Sequence, residues 1–256
     1  MLISIAQAQV FFLVVTRILA TIIHVPVLGG NSIPNQVKIA LGITLAVVMV
    51  PWTSQAPATE AALSLFPFTL AIGREILIGT VAGYSAAVTF GAVQMAGETM
   101  GLGSGFGSGR ILNPTMGESG SPIDAMFFTF AMLLFLVLNG HHLFLLGLQK
   151  TFEIIPVNST LPVLQPDRII NLTTGLIVAG IRMALPVMGA LLLADLVLGL
   201  LARVAPQVQV FFLGMPLKIG VGLLVFSVAL VTMIPLLEDL FQQIAPRMLM
   251  LLAGEG

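Results

Sequence analysis

The chain has 256 residues, 57% of them hydrophobic and 8% charged, with a formal net charge of −1. Soluble domains carry about 25% charged residues, so too little charge is present to clothe a water-facing surface. No Lys/Arg cluster offers a nucleic-acid footprint, and the lack of cysteine excludes disulfides, thiolate metal sites and cysteine nucleophiles.

Six apolar segments follow in chain order, each near or above the roughly 20 residues that cross a bilayer. The expected fold class is therefore all-α, a polytopic helical membrane protein with some of its segments broken. The first segment, 8–28, has no basic stretch before it and no small-residue cleavage site after it, so a retained span is expected rather than a removed leader. The second, 37–55, ends near "PWTSQAP". The third, 64–96, suits one tilted helix or two broken ones. The others are 123–148, 170–202 and 210–237, and Pro, Gly, Asn and Ser collect between segments as helix connections require. Basic residues favour the cytoplasmic side. Lys38, Arg110, Arg203 and Lys218 fall on one side of six spans and Lys150, Arg168 and Arg247 on the other, which barely orients the chain.

Between the third and fourth segments lies "GETMGLGSGFGSGRILNPTMGESGSP". Gly101, Gly103, Gly105, Gly107 and Gly109 alternate there, with Phe106 and Arg110 among and after them. This composition predicts a glycine-rich loop over 97–122, because glycine reaches backbone conformations barred to other residues and weakens helix and strand alike. The stretch lacks the G-K-[ST] ending of a phosphate loop and does not fit G-x-G-x-x-G. Met95, Met100 and Met116 flank or enter it, and flexible thioethers fill irregular, changing gaps. Small residues four apart, Gly79/Gly83 and Gly97/Gly101, suggest close helix packing inside an assembly.

Arg17, Arg74, Glu75, Arg182, Asp195, Arg203 and Lys218 interrupt the apolar runs. Charges there face protein or a water-filled cavity. Arg182 and Asp195 stand about 20 Å apart on a straight helix at 1.5 Å per residue, so they pair only if Pro186 or Gly189 breaks it. Buried pairs or contacts to other subunits are expected over a proton relay, which needs more carboxylates than Asp195 and Glu75. His141 and His142 are adjacent and point apart on a helix, a poor metal pair. No catalytic signature is present. No enzyme, metal or cofactor is expected.

Four blocks carry a family resemblance across essentially the whole chain. "TRILATIIHVPVLGGNSIPNQVKIALG" opens it. "AGETMGLGSGFGSGRILNPTMGESGSPI" supplies a glycine-rich segment with an Asn-Pro pair. "LFLVLNGHHLFLLGLQKTFEIIPVN" follows, and "LARVAPQVQVFFLGMPLKIGVGL", with Arg203, Pro206, Gln207, Gly214, Pro216 and Lys218, is the most specific. These blocks resemble the FliR/SctT family of type III secretion export-apparatus membrane proteins. Gln209, Met215 and Lys150–Thr151 depart from its common residues, and Asn139-Gly140-His141 favours the flagellar branch.

The resemblance implies a P-type-like part over 1–184 and a Q-type-like helical hairpin with the tail over 185–256. It implies one chain joining FliP-like and FliQ-like subunits, with an FlhB-like subunit, in an export gate of the bacterial cytoplasmic membrane and flagellar basal body. It also implies helices partly above the membrane plane, and a conduit for unfolded flagellar proteins. On that footing Met100, Gly101, Gly103, Gly105, Phe106, Gly107, Gly109, Arg110 and Met116 are the candidate plug, with Arg110 and Asn113-Pro114 anchoring its far end. Arg17, Arg74, Glu75, Arg182, Asp195, Arg203, Gln207 and Lys218 are candidate buried or inter-subunit contacts. The alternatives are the injectisome paralogue and a small-solute transporter with its site at a broken segment 182–203.

Overall fold

A computed structural model describes residues 4–30, 33–52, 63–106, 121–162, 164–207 and 210–253. The described residues form helices and turns, without strands: α1 Ile5–Ile22, α2 Pro26–Gly29, α3 Asn35–Met49 followed by a 3-10 turn Val50–Trp52, α4 Leu65–Gly103, α5 Pro122–Val137, α6 Gly140–Ile154, α7 Pro166–Val204, α8 Val210–Gln242 and α9 Ile244–Leu252. A polytopic helical membrane protein is what this element set describes.

Local chemistry explains most ends. Ser4 caps α1 in a capping box: its hydroxyl accepts from the Gln7 amide and the Gln7 side chain accepts from the Ser4 amide. Ser121 caps α5, accepting from the Asp124 amide, with Pro122 at the first helical position where its missing N–H costs nothing. Asn139 takes the left-handed conformation, φ 55°, ψ 28°. It separates α5 from α6, so the fourth apolar segment is a broken pair. Asparagine tolerates this region better than most residues.

Four helices among the described residues are long and apolar enough to cross a membrane, or five spans if the broken pair counts as one. The second apolar segment becomes α3, only 15 residues, about 22 Å at 1.5 Å per residue and short of the ~30 Å hydrocarbon core. Helices α4 and α7 have 39 residues each, about 58 Å, nearly twice what the core requires.

Two expectations are corrected. The third segment is the single helix of its two alternatives, but it does not finish at residue 96: α4 runs on through Gly97 and Gly101 to Gly103. The 97–122 stretch is therefore helical over its first seven residues, 97–103. Segment 170–202 is also one helix, with Pro186 inside it. No discontinuity separates Arg182 from Asp195, which removes the broken-helix site that the solute-transporter alternative required.

The chain divides into two compact units. Unit 1 comprises Met1–Phe90, Asn139–Thr173 and Phe241–Gly256, and unit 2 comprises Gly91–Leu138 and Thr174–Leu240. In unit 1, α1 contributes the buried stripe Leu13, Val14, Arg17, Ile18, Thr21 and Ile22, the three- and four-residue spacing of one helix face. Helix α6 meets α9 where a Cβ at Gly147 would lie 2.8 Å from the Ala245 methyl. In unit 2, Phe127 of α5 meets Phe226 of α8 edge to face, centroids 6.2 Å apart.

Candidate functional site

Unit 1 is centred on an ion pair. Arg17 is fully buried on α1 and Glu75 is 1% exposed on α4, with Nε to Oε2 at 2.5 Å. The guanidinium also donates from Nη1 to the carbonyls of Thr151, 3.2 Å, and Ile155, 2.7 Å, at the end of α6. Its carbon stands 4.4 Å from the Phe152 ring centroid, in cation–π range. The other Glu75 oxygen accepts from the Asn158 amide at 3.1 Å. One arginine thus ties α1, α4 and the end of α6 together, and the planar fork explains why arginine rather than lysine stands here.

Glycines make the approach possible. A Cβ at Gly79 would fall 2.6 Å from the Arg17 carbonyl oxygen, and one at Gly83 would fall 2.7 Å from the Thr21 oxygen. The Gly79/Gly83 spacing therefore serves an α4–α1 crossing inside this chain rather than contact with another one. Gly97 and Gly101 do the same in unit 2: their added Cβ atoms would lie 2.7 Å from Asp124 Oδ1 and 2.6 Å from Ser121 Cβ.

The ends of the glycine-rich stretch are consequently pinned. The last turns of α4 lie against the first turn of α5, so the chain leaves at Gly101 and returns at Ser121 beside it. Met100 is fully buried in this packing. A Cβ at Gly103 would meet the Met188 sulfur of α7 at 2.6 Å, and one at Gly222 of α8 would meet the Ser104 Cβ at 3.0 Å. Ser104 is buried, its hydroxyl donating to the Gly101 carbonyl at 2.8 Å. Gly105 has φ +86° with nothing near its Cβ position, and Phe106 is half-buried. Gly107, Gly109, Arg110, Asn113, Pro114 and Met116 lie outside the described residues.

The remaining charged candidates divide. Lys218 of α8 pairs with Asp195 of α7, Nζ to Oδ1 at 2.8 Å, with the side chains 23% and 49% exposed. Arg74 is half-buried, and Arg182, Arg203 and Gln207 are exposed. None of these four makes a hydrogen bond or ion pair among the described residues. No group of three or more His, Asp or Glu side chains converges as a metal site among the described residues. Sequence reasoning singled out Arg17 and Glu75 without pairing them, since 58 positions separate them. It missed Thr151, Phe152, Asn158, Ser104 and Met188, and only Ser121-Pro122 carried a local signal, that of a helix start.

Residues 8–244 match the family described as "Bacterial export proteins, family 1". The chain belongs to that family. It is similar to the flagellar biosynthetic protein FliR of Pectobacterium carotovorum, 31% identical over 91% of this chain and 89% of the relative. It is also similar to FliR of Bacillus subtilis, 30% over 96% and 95%, and to FliR of Escherichia coli, 31% over 92% and 90%. Bacterial export proteins of this family are structural components of an export apparatus and not enzymes.

Proposed function

We propose that this multi-pass membrane protein is a core subunit of the flagellar type III protein export gate in the bacterial inner membrane, helping to form and seal the conduit for unfolded flagellar proteins. Its partners on this reading are FliP-like and FliQ-like subunits and an FlhB-like subunit. The chain contributes a P-type-like part up to residue 184 and a Q-type-like hairpin after it. The family match and the relatives named flagellar biosynthetic protein support the flagellar export assignment.

One observation carries the gate reading: a glycine-rich stretch whose two ends are held together by side-chain-free crossings at Gly97 and Gly101. Glycine gives a stretch rooted in this way backbone freedom at little steric cost. Irregular backbone at membrane depth is tolerated beside protein or a water-filled cavity, which a conduit supplies. The overlong α4 and α7 also suit burial in a protein assembly that projects beyond the bilayer.

Deleting residues 105–109 while keeping Gly97, Gly101 and Gly103 tests this. The expected result is membranes that leak ions or small dyes while flagellar export continues. Tight membranes with normal export would overturn the plug. Absence of FliP-like and FliQ-like proteins from the chain purified out of native membranes would overturn the gate assignment itself.

A further inference from the structure

Arg182 stands 16 residues into the 39-residue helix α7. The side chain is exposed and has no partner among the described residues, whereas Arg17 and Lys218 are each held in an ion pair. On its own face of α7 lie, within seven residues, Gly175, Val178, Leu185, Pro186 and Gly189, and, eleven residues away, Asn171 and Leu193, all exposed. Val178 is 42% exposed, Leu185 57% and Leu193 64%. A Cβ built at Gly175 or Gly189 meets nothing within 4 Å.

That combination narrows what covers the face. A water-filled conduit wall would present polar groups, but within two turns on this face the neighbours of Arg182 are Val, Ala, Leu, Pro and Gly. A lone guanidinium among lipid tails is expensive. The nearest acidic residue along α7, Asp195, is committed to Lys218 on α8 and stands about 20 Å away along the axis. What satisfies both the apolar surround and the charge is a packed helix that brings its own carboxylate. Two glycines, each two turns from Arg182, let a second backbone approach closely, so that even a short aspartate reaches the fork in bidentate geometry.

We propose that the Arg182 face of α7 is a docking surface for a membrane helix of another export subunit, which places an Asp or Glu opposite Arg182. This inference rests on the export-gate reading above and adds the chemistry of one interface to it.

The test uses the full chain produced together with the other export subunits in native membranes. A photo-crosslinking amino acid at Leu185 should join α7 to a membrane helix of one such subunit, with an Asp or Glu within one turn of the mapped crosslink. Arg182→Glu should lower both the crosslink and co-purification at least tenfold. Arg182→Lys should retain most of each, and Arg182→Glu combined with Arg at the mapped acid should restore them. The thermal midpoint of each purified variant chain, unchanged from the parent, separates lost docking from lost folding.

Crosslinks to lipid alone, a mapped helix without an acid, or Arg182→Glu co-purifying within twofold of the parent would each overturn the inference. A parent chain that co-purifies with no export subunit instead overturns the export-gate reading, which makes the two failures distinguishable.

Discussion

Arg17 illustrates how much one side chain can hold. Breaking a buried pair by removing one partner leaves an uncompensated charge and costs about 3–5 kcal/mol. Glu75→Ala is therefore expected to lower unfolding stability in detergent by that order, read from the denaturation midpoint. Arg17→Lys is expected to lose stability too, because an ammonium cannot reproduce the Nε contact to Glu75 together with donation to the Thr151 and Ile155 carbonyls. A matched pair of glycines on the same helix gives a sharper test. Gly79→Ala drives a methyl to 2.6 Å from the Arg17 carbonyl oxygen, whereas the Cβ position at Gly73 is open. The first should cost about 1–3 kcal/mol by overpacking. The second should be neutral or stabilising by up to about 1 kcal/mol, since alanine is the better helix former. Equal midpoints for the two variants would contradict the close α1–α4 crossing.

Among the elements, two of the three left-handed positions of the described residues mark where helices stop. Asn139, φ 55°, parts α5 from α6, and Gly105, φ +86°, follows α4. Gly105→Ala should cost about 1–2 kcal/mol for left-handed backbone, and Asn139→Gly should be tolerated where Asn139→Val is not, each read from thermal midpoints in detergent. The same elements show what sequence patterns carried. Apolar runs located the long helices, whereas the helix-start signal in Ser121-Pro122 went unread. Alternating glycine misled over 97–103, because helix propensity there opposes tertiary packing. Each glycine costs about 1 kcal/mol in a helix, yet only a residue without a side chain fits beside Ser121 and Asp124. Pro186 misled similarly: a proline inside α7 removes one hydrogen bond without ending the helix. The pairings Arg17–Glu75 and Asp195–Lys218 had no local signature, because nothing in spacing specifies which turn of a distant helix a charge will meet. Helix α9 escaped notice since it follows α8 with only Gln243 between them.

For the molecule as a whole, helix length is the informative quantity. A 39-residue helix exceeds the hydrocarbon core by nearly half its length. The chain contains no cysteine, so single cysteines along the exposed face of α7 report without background. For the purified chain in liposomes, we expect protection from membrane-impermeant thiol reagents over about 20 consecutive residues and labelling beyond them. Protection along all of α7 would mean that the helix lies wholly in apolar surroundings.

One arrangement bears on how the chain comes to be made. Arg168, at the start of α7, donates to the carbonyls of Met250 and Ala253 at the end of α9. Ser85 of α4 donates to the Ile244 carbonyl at 3.3 Å, and Phe90 meets Phe241 with centroids 5.5 Å apart. Unit 1 joins residues up to Phe90 with residues from Phe241 onward. A ribosome delivers Ser85 and Ile244 159 positions apart, at roughly 5–20 residues per second. The N-terminal helices must therefore wait, inserted but incompletely covered, until α9 has emerged. Through that interval their faces stay uncovered, and α9 is the piece that shuts them.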